Sequence, residues 1–284
     1  MPKILIATFA ALTLISYTVY AKSSEWVADD QIKARIIVEK TSISEDLATL
    51  KGAVEIRLEK GWHTYWRTSG DAGLPPSFNW DGSKNLDKAH IKWPAPSRFN
   101  EAGFYTFGYK NAVTLPVTFH LQTPGDALDL NLALKAMICN EICIPKNLDL
   151  TLTLPKGDGA QSETTSQINA AFRDLPHEGN LDTLKIDNLA VGLDKLVVTV
   201  SDSRGLSDET QLFLELEGVS LSSPAVMEID DADTNPSGQK PVRQARMIVP
   251  APDDIKNLSS RISGKDMRIT LVNKGRAIEK TFSF

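Results

Sequence analysis

The chain has 284 residues, with 31 basic and 36 acidic side chains and a formal net charge of −5. A chain of this length exceeds the usual size of one domain, so we expect two domains of about 100 to 150 residues each. The acidic balance and the lack of a basic block argue against nucleic acid as a partner.

Residues 1–21 have the pattern of a secretory signal peptide. Lys3 precedes an apolar run over residues 4–19, and Val19-Tyr20-Ala21 is the small-x-small pattern that suits signal peptidase. The run is short and interrupted by hydroxyl side chains, which disfavours a membrane span, although an uncleaved anchor is the alternative. Cleavage would remove one lysine and no acid, which changes the net charge from −5 to −6. We therefore expect an exported, soluble mature chain that begins near Lys22.

Short runs rich in Val, Ile, Leu and Thr follow and predict an all-β protein. Residues 148–154 alternate apolar and polar side chains with a period of two, which is typical of a half-buried strand. Turn-forming residues separate the runs, as expected for a β-sandwich. The first set of predicted strands covers residues 32–39, 50–58, 113–121, 128–138 and 148–154.

From Pro155 to about Asn180 the composition becomes polar and glycine-containing, which predicts a linker with a short helix near residues 166–173. A second set of strands is predicted after it, at residues 184–191, 195–201, 211–216, 225–229, 244–249, 267–272 and 277–282. We therefore predict two β-sandwich domains in tandem, at residues 22–157 and 181–284, joined by a linker at residues 158–180. The second domain has no cysteine, and we interpret it as a structural or docking module.

The chain has two cysteines, Cys139 and Cys143, and in an oxidising compartment such a close pair is expected to form a disulfide. Bonded cysteines need α-carbons within about 7 Å, whereas four extended residues span about 13 Å. The pair should therefore lie at an exposed bend at a strand end, with Asn140 and Glu141 in the turn. Pro145 is expected to prevent regular strand pairing just beyond it.

Three interpretations of the pair remain open. A disulfide that closes so small a loop stabilises by only about 2 kcal/mol in the chain-entropy argument, so a purely structural bridge would contribute little to a domain of this size. A redox dithiol is the second interpretation. The third is a Cu(I) site, because thiolate and thioether sulfur suit that ion. Its candidate ligands are Met137, Cys139 and Cys143, with His63, His90 and His120 as residues that could approach in space.

Two aromatic segments precede the cysteines. The first, GWHTYWRTSGDAGLPPSFNW at residues 61–80, is interpreted mainly as core and corner packing. The second, WPAPSRFNEAGFYTFGYK at residues 93–110, is predicted to be loop-like and large enough to cover a site.

These two segments, followed by LKAMICNEICIPK at residues 134–146, resemble the N-terminal periplasmic domain of the DsbD and ScsB transmembrane thiol reductases, also found as a free-standing disulfide bond corrector domain. The ScsB-like branch, which adds a second β-domain, looks closest to the whole mature chain. The resemblance implies a periplasmic, immunoglobulin-like sandwich that holds no small-molecule cofactor. It also implies that Cys139 and Cys143 pass electrons from a membrane-embedded thiol reductase to periplasmic thioredoxin-like proteins, as a protein-disulfide oxidoreductase if the chain is an enzyme at all.

The resemblance further implies a cap loop that shields the cysteine pair until a partner docks. By position we place it within residues 101–108, with Phe104, Tyr105 and Phe107 as the shielding aromatic side chains. Two features depart from the family. The three-residue spacing between the cysteines is shorter than in the best-known DsbD domains, and the chain reaches Phe284 without transmembrane helices or a thioredoxin-like domain, so we expect it to borrow its electrons. Copper handling and a noncatalytic assembly role are the rival hypotheses.

Overall fold

The structure is a computed structural model that describes residues 23–101, 103–229 and 243–284. The predicted signal peptide lies outside the described residues. Strands dominate the described chain, which confirms the all-β prediction, and every predicted strand has a counterpart at nearly the predicted position. The strands form four sheets, which are arranged as two pairs, each with its own apolar core.

The first pair of sheets, here called the N-terminal sandwich, contains eleven strands within the described residues. They are β1 (Val27–Asp29), β2 (Ile32–Val38), β3 (Thr49–Leu58), β4 (His63–Gly70), β5 (Ser77–Asn79), β6 (Leu86–Ile91), β7 (Ser97–Glu101), β8 (Phe104–Lys110), β9 (Ala112–Leu121), β10 (Leu128–Cys139) and β11 (Cys143–Leu154). One sheet has the order β1-β2-β3-β9-β6, and the other has the order β11-β10-β4-β8-β7, with β5 paired to β10.

The alternating sequence pattern builds the core of this sandwich. Leu130, Leu132 and Leu134 of β10 are buried, and the residues between them are only half-buried, because successive side chains of a strand point to opposite faces. They pack in the same core cluster as Leu115 and Phe119 from β9 of the other sheet. The core therefore fills the space between the two sheets.

The second pair of sheets, here called the C-terminal sandwich, follows the same principle. Its strands are β12 (His177–Glu178), β13 (Leu184–Val191), β14 (Lys195–Asp202), β15 (Gln211–Leu216), β16 (Val226–Glu228), β17 (Gln244–Pro250), β18 (Asp266–Asn273) and β19 (Arg276–Ser283). They form sheets in the orders β12-β19-β18-β15 and β13-β14-β17-β16, and a short helix, α2 (Leu258–Ile262), contributes two buried side chains.

The predicted linker contains the predicted helix, α1 (Thr165–Arg173). Ile168 of α1 packs against Ile37 and Ala53 on the outer face of the N-terminal sandwich. Just before the helix, the hydroxyl groups of Ser162 and Thr164 both donate to the backbone oxygen of Val38. The segment is thus fastened to the first sandwich for part of its length, and the domain boundaries given above stay predictions.

The two sandwiches contact each other through buried and charged side chains. Phe213 of β15 enters the core cluster of the N-terminal sandwich, with its ring centroid 6.0 Å from that of Trp66. Beside it, the guanidinium of Arg67 pairs with Glu215 at 2.5 Å and with Glu279. Because all three charged side chains are mostly buried, removing one partner would leave a buried charge uncompensated.

Two local predictions were wrong. Residues 97–110 are not loop-like, because β7 and β8 pair as an antiparallel hairpin in the six-stranded sheet. Pro145 does not interrupt pairing either, because it lies within β11 opposite Met137 and the ladder continues on both sides. β11 is the edge strand of its sheet, and proline is tolerated at an edge, where one side of the strand needs no backbone donor.

Candidate functional site

The two cysteines face each other across a tight hairpin. Cys139 is the last residue of β10 and Cys143 is the first residue of β11, and the ladder pairs them directly. Their α-carbons are 4.1 Å apart and their sulfurs form a disulfide bond. The three-residue turn between them is closed by a hydrogen bond of 3.0 Å that the Asn140 amide donates to the Ile142 oxygen. This confirms the predicted bend at a strand end.

The two cysteines differ sharply in exposure. Cys139 is only 1% exposed, because β10 lies inside the sheet between β11 and β4. Cys143 is exposed, because β11 is the edge strand, and Ile142 beside it is 64% exposed. An incoming thiolate can therefore reach the Cys143 side of the disulfide more directly than the Cys139 side.

The phenol of Tyr65 lies against the disulfide. Its oxygen is 2.9 Å from Cys139 Sγ and 3.7 Å from Cys143 Sγ. A bonded sulfur carries no proton, so the phenol donates and the sulfur accepts. Burial, with a smaller contribution from the carboxylate of Glu101, raises the pKa of Tyr65 to about 12, so the phenol keeps its proton at neutral pH.

A glycine makes room for this tyrosine. Gly73, in the segment after β4, has a φ of +86°, and a Cβ built there would overlap the ring carbons of Tyr65. A left-handed backbone of this kind favours glycine, and here the missing side chain also lets the backbone lie directly on the ring. The backbone at Gly73 therefore packs on the phenol ring of Tyr65.

His63 and Glu101 form a polar pair next to the tyrosine. His63 is opposite Cys139 in the pairing of β4 with β10, and its side chain is 3% exposed. Its Nε2 lies 3.2 Å from a carboxylate oxygen of Glu101, and its ring packs on Phe99 at a centroid distance of 4.8 Å. Burial lowers the pKa of His63, with the Glu101 carboxylate opposing and the Lys110 ammonium assisting. His63 is therefore neutral at pH 7.

The three predicted cap residues lie in different environments, although all belong to β8. Phe104 is 55% exposed at the start of the strand, and Tyr105 is half-buried. Phe107, in contrast, is 1% exposed and packs in the core against Trp66 and Phe213. The prediction that Phe107 shields the disulfide is therefore corrected: it is a packing residue at the junction of the sandwiches. Shielding by Phe104 and Tyr105 stays a prediction.

The structure brings together only part of the proposed copper ligand set, because His63 lies opposite Cys139 whereas His90 and His120 lie on the other sheet. Met137 lies on β10 near the cysteines, but both cysteine sulfurs are engaged in the disulfide. His90 and His120 contact each other, with ring centroids 5.3 Å apart, on the five-stranded sheet, whereas the cysteines belong to the six-stranded one. Within the described residues, no group of three or more His, Cys, Asp or Glu side chains is placed to hold a metal ion. The structure does not favour the copper interpretation.

Tyr65 and Gly73 were not singled out from the sequence as site residues. His63 was considered only as a residue that could approach a copper ion, and Glu101 only as the first residue of the cap segment. The only available signal was the alternation within GWHTYW, which places His63 and Tyr65 on one face of a strand. That pattern does not reveal which strand lies beside it.

In the described part of the chain, no helix combines the length and the apolar character that a membrane crossing requires.

Comparison with known proteins gives two relevant matches. Residues 33–155 match the family model described as thiol:disulfide interchange protein DsbD, N-terminal. The crystal structure of the N-terminal periplasmic domain of ScsB from Proteus mirabilis matches with a TM-score of 0.68 and 20% identity, over 93% of this chain and 98% of that one. At this identity the likeness shows the fold. A conserved domain protein from Bacillus anthracis reaches a TM-score of 0.25 at 11% identity, over 90% of this chain and 79% of that one, and supports no argument. No curated protein matches significantly.

Proposed function

We propose that this protein is a periplasmic thiol–disulfide relay that works through Cys139 and Cys143, and the match of residues 33–155 to the DsbD N-terminal family model supports the proposal. In this proposal it accepts two electrons from a membrane-embedded thiol reductase and passes them to thioredoxin-like proteins. The observation that carries the proposal is the asymmetry of the disulfide, with one exposed sulfur and one buried sulfur that accepts a hydrogen bond from Tyr65.

The asymmetry assigns a separate role to each cysteine in the reduction step. A thiolate of the donor attacks Cys143 Sγ, forms a mixed disulfide with it, and breaks the bond to Cys139. Cys139 leaves as a thiolate, which the phenol of Tyr65 stabilises by donating a hydrogen bond. The second thiolate of the donor then attacks the donor sulfur of the mixed disulfide. Two electrons and two protons have then moved to the relay, and the donor has become a disulfide.

The oxidation step is the reverse sequence with another partner. The thiolate of Cys143 attacks the disulfide of a thioredoxin-like client and forms a mixed disulfide with one client sulfur, while the other client sulfur leaves. Cys139 then attacks Cys143, which restores the bond between them and releases the reduced client. Since Cys139 acts only within the protein in both steps, its burial does not hinder either exchange.

The surface around the disulfide supports docking of a protein partner. Ile142 and Phe104 are exposed apolar side chains in the cysteine turn and in the β7–β8 hairpin. Leu74, which is 61% exposed, directly follows the glycine that packs on Tyr65. An open cleft lined in part by Glu101 and Asn140 runs beside them. Exposed apolar side chains with a polar border are the usual composition of a transient protein interface.

Two measurements test the proposal. The first is the equilibrium reduction potential of the pair in glutathione or dithiothreitol buffers, read by alkylating free thiols and measuring the mass shift. We expect a value between about −180 and −270 mV, the range of exchange proteins. A value below about −300 mV would identify a structural bridge and overturn the relay.

The second measurement uses the two single-cysteine variants as a matched pair. Cys139→Ser leaves the exposed Cys143, which should form a mixed disulfide with a purified thioredoxin-like protein whose active-site cysteine has been activated with Ellman's reagent. Cys143→Ser leaves the buried Cys139 and should form this product at least tenfold more slowly. Equal rates for the two variants would contradict the roles assigned to the cysteines.

A further inference from the structure

The β7–β8 hairpin lies between the disulfide site and the C-terminal sandwich, and its two faces contact different partners. Phe99 and Glu101 of β7 both approach His63, beside Tyr65 and Cys139. Arg98 directly precedes Phe99 in β7, and successive side chains of a strand alternate between its faces, so the Arg98 side chain points to the opposite face. There it meets the C-terminal sandwich. One short strand thus connects the redox site to the second pair of sheets.

Arg98 attaches the hairpin to two separate segments of the C-terminal sandwich. Its Nη2 donates to the backbone oxygen of Leu212 at 2.5 Å, and its Nε donates to the backbone oxygen of Ser222 at 3.0 Å. Its guanidinium also contacts two neighbouring rings, at 5.2 Å from the centroid of Phe107 and 4.9 Å from that of Phe213. Burial lowers the pKa of Arg98 to about 10, so the group stays charged at neutral pH although it is largely removed from water.

Asp71, which directly follows β4, links the other strand of the hairpin, β8, to the C-terminal sandwich. One carboxylate oxygen accepts from the Tyr105 amide at 2.9 Å, and the Asp71 amide donates back to the Tyr105 oxygen at 2.9 Å. The other carboxylate oxygen accepts from the hydroxyl groups of Ser220, at 2.8 Å, and Ser222. Since Ser222 also accepts from Arg98, the segment at residues 220–222 holds both strands of the hairpin.

We propose that the C-terminal sandwich is a clamp, which holds the β7–β8 hairpin closed against the redox site and thereby limits access to Cys139. Arg98 and Asp71 are positioning residues in this arrangement, since neither contacts a sulfur. The clamp gives residues 181–284 a role in controlling the disulfide site, and its biological purpose rests on the proposed relay. A partner that loosens the contact at residues 220–222 would release the hairpin and expose Cys139.

The test weakens the clamp without touching the site. Ser220→Ala with Ser222→Ala removes both hydroxyl donors to Asp71, and Arg98→Met removes the two donors to backbone oxygens but keeps an apolar stem beside the rings of Phe107 and Phe213. Each change is made in full-length Cys143→Ser protein, where Cys139 is the single thiol. The rate at which iodoacetamide alkylates Cys139 reports opening of the site. Amide hydrogen exchange of residues 97–110 reports opening of the hairpin.

We expect both rates to rise about tenfold in each variant, because two hydrogen bonds that hold the closed state are lost. Ser283→Ala is the matched control, since it removes a hydroxyl donor to Asp266 that is remote from the hairpin, and it should change neither rate. The proposal is overturned if alkylation stays within twofold of the parent protein in both variants, even if hairpin exchange accelerates. Alkylation needs no redox partner, so a failed relay test with a positive alkylation result would count against the relay alone.

Discussion

Removal of the Tyr65 hydroxyl is the most direct test of how the fold acts on the disulfide. Tyr65→Phe keeps the ring under Gly73 but removes the donor 2.9 Å from Cys139 Sγ. A hydrogen bond to a charged group contributes about 1.5 to 3 kcal/mol. At 1.36 kcal/mol per pKa unit, the Cys139 thiol of the reduced variant should have a pKa about one to two units higher. A leaving thiolate of higher pKa leaves more slowly, so reduction should slow by about three- to tenfold.

Two assays measure these effects. The thiol pKa is read from the ultraviolet absorbance of the Cys139 thiolate during a pH titration of Cys143→Ser protein, with and without the Tyr65 change. The rate is read by mixing oxidised protein with dithiothreitol, quenching with acid and alkylating the free thiols. Tyr109→Phe is the matched control, because that buried phenol donates instead to the Pro94 oxygen at 2.7 Å. If Tyr65→Phe shifts neither the thiol pKa nor the rate beyond the control, the phenol does not stabilise the leaving thiolate.

Three further predictions follow from the same geometry. Gly82→Ala places a side chain at a φ of +82° in open space and should cost about 1 kcal/mol of unfolding free energy from backbone strain alone. Gly73→Ala should cost more and should also slow dithiothreitol reduction, because its Cβ displaces the buried phenol ring of Tyr65; equal reduction rates for the two variants would contradict this. Because burial holds the pKa of His63 below its ordinary value of 6.5, the unfolded chain binds more protons than the folded protein as the pH falls below 6.5, so stability measured by urea denaturation should fall there. His63→Gln should remove that slope, and an unchanged slope in this variant would contradict the prediction. Arg67→Met removes the guanidinium that two mostly buried glutamates share and should cost about 2 kcal/mol in denaturant unfolding, although Arg268 stays 3.6 Å from Glu279. Lys84→Met, at a pair whose lysine is 80% exposed, should cost little, and similar losses for the two variants would show that the inter-sandwich pairs are weak.

The strands were predictable where side chains alternate, and they were missed where they do not. Residues 148–154 alternate strictly, and β11 covers them. β7 has one buried apolar side chain, Phe99, because its other face carries polar residues toward the C-terminal sandwich and the solvent. With a single apolar residue in five and a glycine soon after, the local pattern has no period to detect, so the hairpin was taken for a loop.

The cysteine pair was predictable because its signal is local, whereas its environment is not. Cys139 and Cys143 are four residues apart, and the need to bring them together already implies a turn. Tyr65 is 74 positions away from Cys139 in the chain. It reaches the sulfur because β4 is the neighbour of β10, and strand order depends on how the whole sheet packs. The same applies to Phe107, because its packing against Trp66 and Phe213 depends on strands that are distant in the sequence.

The position of the disulfide within its sheet supports the proposal that the bond serves thiol exchange rather than stability. β10 and β11 pair without interruption from Leu128–Leu154 to Cys139–Cys143, so the ladder already fixes the turn that the bridge closes. A covalent link over so short a loop removes little additional conformational freedom from the unfolded chain. What the sheet provides is a difference between the two sulfurs, because an edge strand exposes Cys143 and an interior strand buries Cys139 beside a phenol. A disulfide placed between two interior strands would be equally well bonded, but it would offer no sulfur for a partner to attack.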